Sequence, residues 1–497
     1  MVRKQIVVIG AGEVGVSFAL LLCQLAKSGI IADQFCVTVL DSEDDILSGA
    51  TLAANVNHES GYEYLKAGHR QTGIDCIQGG ITKRLLFNTK LFETGLENRY
   101  LFSTDTEDRG IARYKDFEEN VTYMKDIYAK TFRYIMERRE WDLAEAAQIL
   151  RHSPEEFEVK IAPYEISELR HIIGGYKSIG GTVKMAYSYA IKKSLVQKFI
   201  QEGLMQLYLG EEVQLIEKKG DSYVVQTNND AFRADSLIIS AAHSIPRLAA
   251  KIKNSLSAPA GMYHLNAMLY IQLHPTQESE LLKKIAQVNF VLQGDGGCMY
   301  ACVFPPTRTE PGYAAVYFPS ESGSHIEKHY YDGANPLSLP HYWREWIRNG
   351  LPGEMQEQRL LNITSRLLYF HPFLKDAFTP LHLIPRTVFN PVIKANPDGK
   401  DKRVREIIGA KILTDDKRVI ALTTPKWTNA ELSALSAVEH VISELWQQHL
   451  PKSPRGFGLE KIDVELLTRK LHFRNEDFVQ KHIFDYQAKL RFCNNLP

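Results

Sequence analysis

The apolar positions of the chain change period several times, and each change predicts an element. Residues 5–9 (QIVVI) are an unbroken β-rich run, the pattern of a parallel strand covered on both faces. Behind it Val14, Phe18, Leu21, Leu22 and Leu25 recur at spacings of three and four, which predicts an amphipathic helix. A second apolar run at 35–40 (FCVTVL) predicts a second strand, with 29–34 as a short insertion before it. Residues 180–203 read as a loop leading into a long amphipathic helix. Residues 211–242 read as a strand, a hairpin turning at 228–230, and a buried strand. Further on, 418–445 reads as strand, turn and helix, with Leu432, Leu435, Val438, Val441 and Leu445 on one face. Thr428 and Glu431 have the spacing of a capping box at that helix's start.

Two stretches between these segments differ in character. Residues 107–150 are charged and helical, with Phe117, Val121, Met124, Tyr128, Phe132 and Ile135 spaced as a core face. Residues 255–389 contain short strand-like runs (HLNAMLYIQL, VNFVLQG, YAAVYFP) separated by Gly/Pro turns, which predict an antiparallel sheet. The tail opens with PKSPRGFG, a linker composition, and continues as predicted helices, with nine Lys or Arg against six Asp or Glu from 451 onward. A docked or solvated helix is the plain reading of it, and contact with a partner or a membrane surface the other.

Composition narrows the class. At 497 residues the chain exceeds one ordinary core, and 44% apolar with 24% charged residues is the make-up of a soluble globular protein. Lys plus Arg and Asp plus Glu stand at 59 each, which argues against wholesale nucleic-acid binding. The six cysteines form no CxxC pair, so neither a disulfide framework nor a zinc site is expected and no metal is assigned; a reducing, cytoplasmic compartment follows. HExxH, GxSxG and GxxxxGK[ST] are absent. The apolar N-terminal stretch is broken by Gly10, Gly12, Glu13 and Gly15 and lacks a cleavage site, against a secretory signal. No run reaches the roughly 20 apolar residues of a membrane span.

The chemistry begins at the first turn. Gly10, Gly12 and Gly15 form G-x-G-x-x-G between the first strand and the first helix. Gly10 permits the tight turn, Gly12 lets a pyrophosphate approach the backbone, and Gly15 lets helix and strand pack closely. The free N–H groups of the helix then face the anion. The cradle is therefore Gly10, Gly12, Glu13, Val14 and Gly15. Asp41, at the end of the second strand and followed by Ser42, supplies a carboxylate for a ribose hydroxyl pair, with Glu43 as its substitute.

The segment 49–65 (GATLAANVNHESGYEYL) is small and polar, then aromatic, as suits a loop laid against a flat ring. With the cradle, it resembles the D-amino-acid-oxidase-like FAD superfamily, which includes glycine and sarcosine oxidases and the flavin-dependent glycerol-phosphate dehydrogenases. Gly49-Ala50-Thr51, His58-Glu59-Ser60-Gly61 and Glu63-Tyr64-Leu65 stand in the order of the dehydrogenases' motifs, with Glu63 in place of an Arg. The resemblance implies an α/β fold: a discontinuous Rossmann-like FAD-binding domain (1–105, 165–250, 385–448) interleaved with an antiparallel-sheet α+β substrate domain (106–164, 251–384), and a helical tail (449–497). It implies FAD, with Thr51, Ala54, Asn55, Asn57, His58 and Gly61 along the flavin and the Val213 backbone at the adenine. Ala241 and Ala242 lie in the small-residue turn beside the cofactor, where the family usually has Gly near 242. Lys426, Trp427 and Thr428 match a Lys-Leu-Thr before the last helix, although Thr424-Pro425 replaces the usual Gly-Gly. That helix would put its positive end at the flavin's N1–C2=O edge.

The implied reaction is hydride transfer to flavin N5 from a small amine, amino acid or 2-hydroxy acid. Arg386, in LIPRTVFNP, matches the superfamily's substrate-anchoring strand, and its fork suits a carboxylate or phosphate. Arg403 and Arg405 resemble a Ser-Arg-Asp of the dehydrogenases. His58 stands where covalent-flavin relatives carry the linked histidine and where the dehydrogenases carry an unlinked one. Tyr300, Tyr317 and His264 are candidate proton carriers, and Cys298 receives no role. The partners expected are a small-molecule substrate and an electron acceptor (oxygen, a quinone or a dye). A quinone-linked dehydrogenase on a membrane surface and a flavin-binding protein without turnover stay open beside an oxidase.

Overall fold

The computed structural model of the chain describes residues 3–47 except 30 and 32–34; 76, 79–80, 83, 97–104, 114–115 and 118; 161–163 and 170–179; 185–256 except 254; 261–274, 288–292 and 298–304; 312–331 except 319–320 and 322; 340–394 except 377; 404–405, 409–423 and 429–448. The predicted flavin loop 49–65 and the tail from 449 lie outside these residues. So does all but residues 114–115 and 118 of the charged helical stretch 107–150.

Five parallel strands and one antiparallel edge form the first sheet. Its members are β1 (Lys4–Ile9), β2 (Phe35–Leu40), β6 (Met205–Tyr208), β10 (Ser236–Ile239), β18 (Gly409–Ile412) and β19 (Val419–Thr423), in the order β18-β19-β10-β1-β2-β6. β1 sits at the centre with Ile9 opposite Leu40 on one side and Ile239 on the other. The continuous apolar runs read from the sequence are explained by burial of both faces: every residue of β2, β10 and β19 is buried. The order reverses beside β1, so the carboxyl ends of β1, β2 and β10 open a crevice where ligands of doubly wound sheets bind.

Helix α1 (Glu13–Lys27) leaves β1 at that crevice and is buried almost all round. It packs on α2 (Met185–Gln201) and on α6 (Ala430–Trp446). The face α6 buries includes Leu435, Val438 and Val441 of the stripe expected from its spacing. Leu432 and Leu445 are only partly buried, whereas Ala430, Ala434 and Ala437 are fully so. The N-cap is Asn429, with no side-chain cap bond, Glu431 is drawn into a buried ion cluster described below, and Thr428 lies outside the described residues.

The second sheet has ten strands. Along β17-β16-β11-β14-β13-β12-β3-β5-β4 run β17 (Val404–Arg405), β16 (Phe378–Lys394), β11 (Gly261–Leu273), β14 (Gly312–Tyr317), β13 (Cys298–Phe304), β12 (Val288–Leu292), β3 (Glu97–Ser103), β5 (Ile172–Ile179) and β4 (Ile161–Pro163). β15 (His325–Tyr331) joins β11 on the edge it shares with β14. The expected antiparallel sheet is present, and its one parallel pair is β12 with β3. β3 and β5 pair here although the sequence boundaries grouped 97–103 and 172–179 with the cofactor segments. One face of β11 feeds two apolar cores: Tyr263 and Leu265 join Ile9, Leu40 and Trp343. Ala267, Leu269, Ile271 and Leu273 join Leu367 and Phe370 of the helix α5 (Gly353–Phe370).

A three-stranded meander completes the described fold: β7 (Val213–Lys219), β8 (Ser222–Thr227) and β9 (Ala231–Ala234). Its first turn is at 220–221, where Gly220 supplies the left-handed residue, with φ +61°. Asp416, in the β18–β19 turn, pins this meander to the first sheet. Its carboxylate accepts from Tyr223 (3.0 Å) and Thr414 (2.7 Å) and pairs with Lys218 (2.7 Å). Burial works to raise its pKa, but Lys218 and the hydroxyl donors hold it at about 2. A carboxyl depressed in the folded state stabilises above its unfolded pKa near 3.8 and loses that contribution as pH falls towards 2. Because water screens the Lys218 pair, Asp416→Asn is expected to cost only about 1 kcal/mol at pH 7. The difference should shrink towards zero at pH 2, as urea melts of both chains across this range will report.

Candidate cofactor and substrate site

The cradle is built by close packing at the β1–α1 turn. Gly10 has φ +107°, and a Cβ there would meet the Ser240 carbonyl at 2.8 Å. A Cβ on Gly15 would meet the Gly10 carbonyl oxygen at 2.0 Å and Ser240 Oγ at 2.4 Å. Helix α1 therefore starts flush against the ends of β1 and β10. The Ser240 hydroxyl donates to the Gly10 carbonyl at 2.8 Å and locks the turn. At its N-terminus Gly12 is the N-cap with no side-chain cap bond, so no side chain of the cap occupies the first-turn N–H groups of a fifteen-residue helix.

Asp41 stands beside this mouth. Its Oδ2 accepts from the Ala11 amide at 2.5 Å and its Oδ1 from the Glu43 amide at 2.9 Å. Burial raises its pKa against these bonds. A carboxylate has about four lone-pair sites, so both oxygens keep acceptor capacity for hydroxyl donors. Ser42 and Glu43 are exposed. Val213, at the start of β7, is buried in one apolar cluster with Ile9, Leu40 and Ala241, at the crevice. Ala242 is exposed and holds φ +43°, a left-handed conformation that suits glycine, and so gives a physical reason for a glycine near this place in relatives.

Glu13 sends its side chain away from the mouth. It is 5% exposed and pairs with Lys192, which also reaches Glu431 Oε1 (2.8 Å) and Ser17 Oγ (2.9 Å). Lys83 pairs with Glu431 and lies 3.6 Å from Glu13. The four charged residues are 5% exposed or less. Burial lowers the Lys192 pKa, but the two glutamates outweigh it and the net shift is upward. On Lys83 burial wins and the shift is downward. Burial raises Glu431, yet Lys192 and Lys83 bring it well below the ordinary carboxylate range. Glu13 can thus offer a ligand its backbone N–H and not its carboxylate, while Val14, partly exposed, remains in the first turn.

The ten-stranded sheet contributes a polar row. The face of β11 opposite its apolar cores carries His264 and Asn266, both buried. Asn266 is in register with Arg386 of β16 and with His325 of β15. His325 Nε2 lies 3.0 Å from the Tyr317 hydroxyl, and its ring is 5.8 Å from that of His264. Among the described residues the buried Asn266 Oδ1 has no hydrogen-bond partner, which leaves an acceptor whose desolvation a donor could offset. Tyr300 of β13 is in register with Tyr317.

Of the residues singled out in the sequence, Gly10, Gly12, Glu13, Val14, Gly15, Asp41, Ser42, Val213, Ala241 and Ala242 gather at or beside the crevice, and Arg386 lies on the second sheet. Thr51, Asn57, His58, Lys426, Trp427 and Thr428 lie outside the described residues, as does Arg403; Arg405 forms part of β17. Sequence reasoning missed Ser240, Asn266, His325, Lys192 and the inward turn of Glu13 and Glu431. The one signal for the last was a glutamate inside a glycine motif otherwise followed by apolar residues. Among the described residues no cluster could hold a metal ion, and no helix is long and apolar enough to cross a membrane.

Comparison with known proteins gives this arrangement its class. Residues 5–325 match the DAO family, described as FAD dependent oxidoreductase. The chain belongs to that family, and it is an FAD-dependent oxidoreductase. Its fold is similar to L-alpha-glycerophosphate oxidase from Mycoplasma pneumoniae, solved dithionite-reduced with FAD bound (TM-score 0.53, 14% identity, 89% of this chain and 95% of that one). It is also similar to glycine oxidase from Geobacillus kaustophilus (0.52, 13%, 89% and 95%) and to iminodiacetate oxidase from Chelativorans sp. BNC1 (0.51, 15%, 88% and 94%). Identities this low establish the fold alone. No curated protein matches the sequence.

The packing yields two opposite predictions. Gly15→Ala places a methyl group inside the Gly10 carbonyl and should cost about 3 kcal/mol or more, with loss of bound flavin. Ala242→Gly relieves a left-handed alanine and should gain about 0.5–1 kcal/mol even though glycine loosens the unfolded chain. Thermal melts of the two variants against the wild type, with flavin content read by absorbance, check both.

Proposed function

We propose that the protein oxidises a small amine, amino acid or 2-hydroxy acid bearing an anionic group. The substrate would be held between the cofactor crevice of the first sheet and the polar row of the second. When bound, FAD supplies the hydride acceptor. The observation that carries the reading is the N-terminus of α1, capped by no side chain, flush against β1 and β10 and flanked by Asp41. The chain's residues fit the cofactor: backbone groups at Gly10, Gly12, Glu13, Val14 and Gly15 for the diphosphate, Asp41 for the ribose, and Val213 for the adenine. The turn at Ala241 and Ala242 would lie alongside.

In this reading Thr51, Asn57 and His58 line the flavin. Lys426, Trp427 and Thr428 lead to the mouth of α6 at the ring's N1–C2=O edge. The interleaved division at 1–105, 165–250 and 385–448 against 106–164 and 251–384 is kept in outline, although 97–103, 172–179, 385–394 and 404–405 carry strands of the second sheet. Arg386 anchors the substrate's anionic group through a two-pronged contact. His325, backed by the Tyr317 hydroxyl, and His264 manage the proton released as the substrate is oxidised. The electron acceptor is oxygen or a quinone.

Purified protein should be yellow and release FAD on denaturation. In anaerobic titration a panel of amines, amino acids and 2-hydroxy acids should contain a member that bleaches the flavin. Recovery of colour in air then marks an oxidase, and recovery only with a quinone or dye marks a dehydrogenase. Arg386→Met should lower kcat/KM for the bleaching substrate by about 10- to 100-fold while leaving flavin content intact. A colourless protein that takes up no added FAD, or flavin that no panel member reduces, would overturn the reading.

A further inference from the structure

The buried ion cluster joins the two helix mouths that the proposed function turns towards one cofactor. Glu13 is the first residue of α1 and Glu431 the second residue of α6, and Lys192 of α2 contacts both, with Ser17 bridging from α1 to Glu431 at 3.1 Å. Lys83 closes the group from a fourth segment. Among the described residues the cluster holds two ammonium groups against two carboxylates.

The placement is unusual on two physical counts. A carboxylate in the first turn stabilises its own helix by cancelling the positive end of the dipole, and that same cancellation makes the mouth less receptive to an anion. Buried ion pairs also add little stability over an apolar filling of the same volume. Two glutamates at the mouths of α1 and α6 would therefore oppose a diphosphate and a reduced flavin unless something neutralised them. Lys192 and Lys83 do so at contact distance, in a dry environment where charge is weakly screened.

We propose that Lys192 is a positioning residue for the cofactor, acting by charge through Glu13 and Glu431, which it contacts at the mouths of α1 and α6. Together with Lys83 it cancels both carboxylates, so that both mouths keep their positive potential for an anionic ligand. The proposal rests on the FAD reading above. It assigns to the cluster a role in binding and tuning the flavin that packing of the helices alone does not require.

The test uses the full chain, stripped of flavin and titrated with FAD, followed by measurement of the flavin midpoint potential. Lys192→Met leaves a net negative charge and should weaken FAD binding about tenfold and lower the midpoint potential. Glu13→Gln removes a negative charge and should leave the potential at or above that of the wild type. The charge-balanced pair Glu13→Gln/Lys192→Met should recover most of the lost affinity. A loss of packing would move both single variants the same way, so potentials shifting together overturn the proposal. Wild-type affinity and potential in Lys192→Met overturn it equally. If Lys192→Met alone fails to fold, the double variant decides: near wild-type affinity supports the proposal, and a loss of tenfold or more overturns it. A wild-type chain that takes up no FAD refutes the cofactor reading itself, whereas variants that bind FAD like the wild type refute only the role of Lys192.

Discussion

The structure depends on how closely α1 can approach the end of β1. Helix and strand meet with the Gly15 Cα lying where the Gly10 carbonyl leaves no room for a methyl group, and Ser240 closes the contact from β10. Only that approach lets α1 begin at the sheet's carboxyl edge. Its first-turn N–H groups then point into the crevice between β1, β2 and β10 and do not stop short of it. The β-branched runs of the three strands, buried on both faces, hold the edge rigid, and Asp41 at the end of β2 borders the mouth. The position of the anion-receptive mouth is thus a consequence of packing.

How much of this was legible depended on whether the signal was local. The strand–turn–helix unit, the second strand ending in acid and the hairpin of the meander were readable because each is declared by residues adjacent in sequence: glycines that must turn, apolar runs that must be buried. The α6 face was legible in part, for a physical reason. Spacing gave Leu435, Val438 and Val441, which are buried, but not the equally buried Ala430, Ala434 and Ala437, since small apolar residues carry little periodic signal. Glu431 shows the same limit. Its distance from Thr428 spelled a capping box, while its actual partners, Lys83 and Lys192, are hundreds of residues away. Ion partners at such separation leave no periodic trace. The row of Asn266, Arg386 and His325 was likewise invisible, because it exists only in the register of three strands.

The two sheets divide the chemistry. The first offers backbone groups and one carboxylate, suited to a nucleotide whose recognition needs shape and partial charge. The second offers side chains that titrate or hydrogen-bond, suited to a substrate that must be oriented and lose a proton. β11 makes the division physical. Its odd-numbered residues are committed to the apolar cores beside α5 and Trp343, so its even-numbered residues are the ones available for polar work, and His264 and Asn266 fall there. A one-residue slip of β11 against β16 would exchange the two sets. The length of their pairing, through the whole of β11, is what protects the polar row from that slip.

Charge is distributed by the same logic. The surface ion pairs, such as Lys27 with Glu202, sit in water where their effect is small. Four of the charges removed from water stand together in one cluster, under the mouths of α1 and α6, while Arg99 and Glu211 are buried elsewhere. Desolvating four ionised groups is costly, and the cost is tolerable only because each finds an opposite partner within the cluster. A fold seeking stability alone would fill that volume with aliphatic side chains, as it does along β10 and β19. Ionised groups there instead set the potential at two helix ends at once, which an aliphatic core cannot do. The cluster therefore belongs with the crevice it underlies, and its members are better understood through the anion at the mouth than through the helices they join.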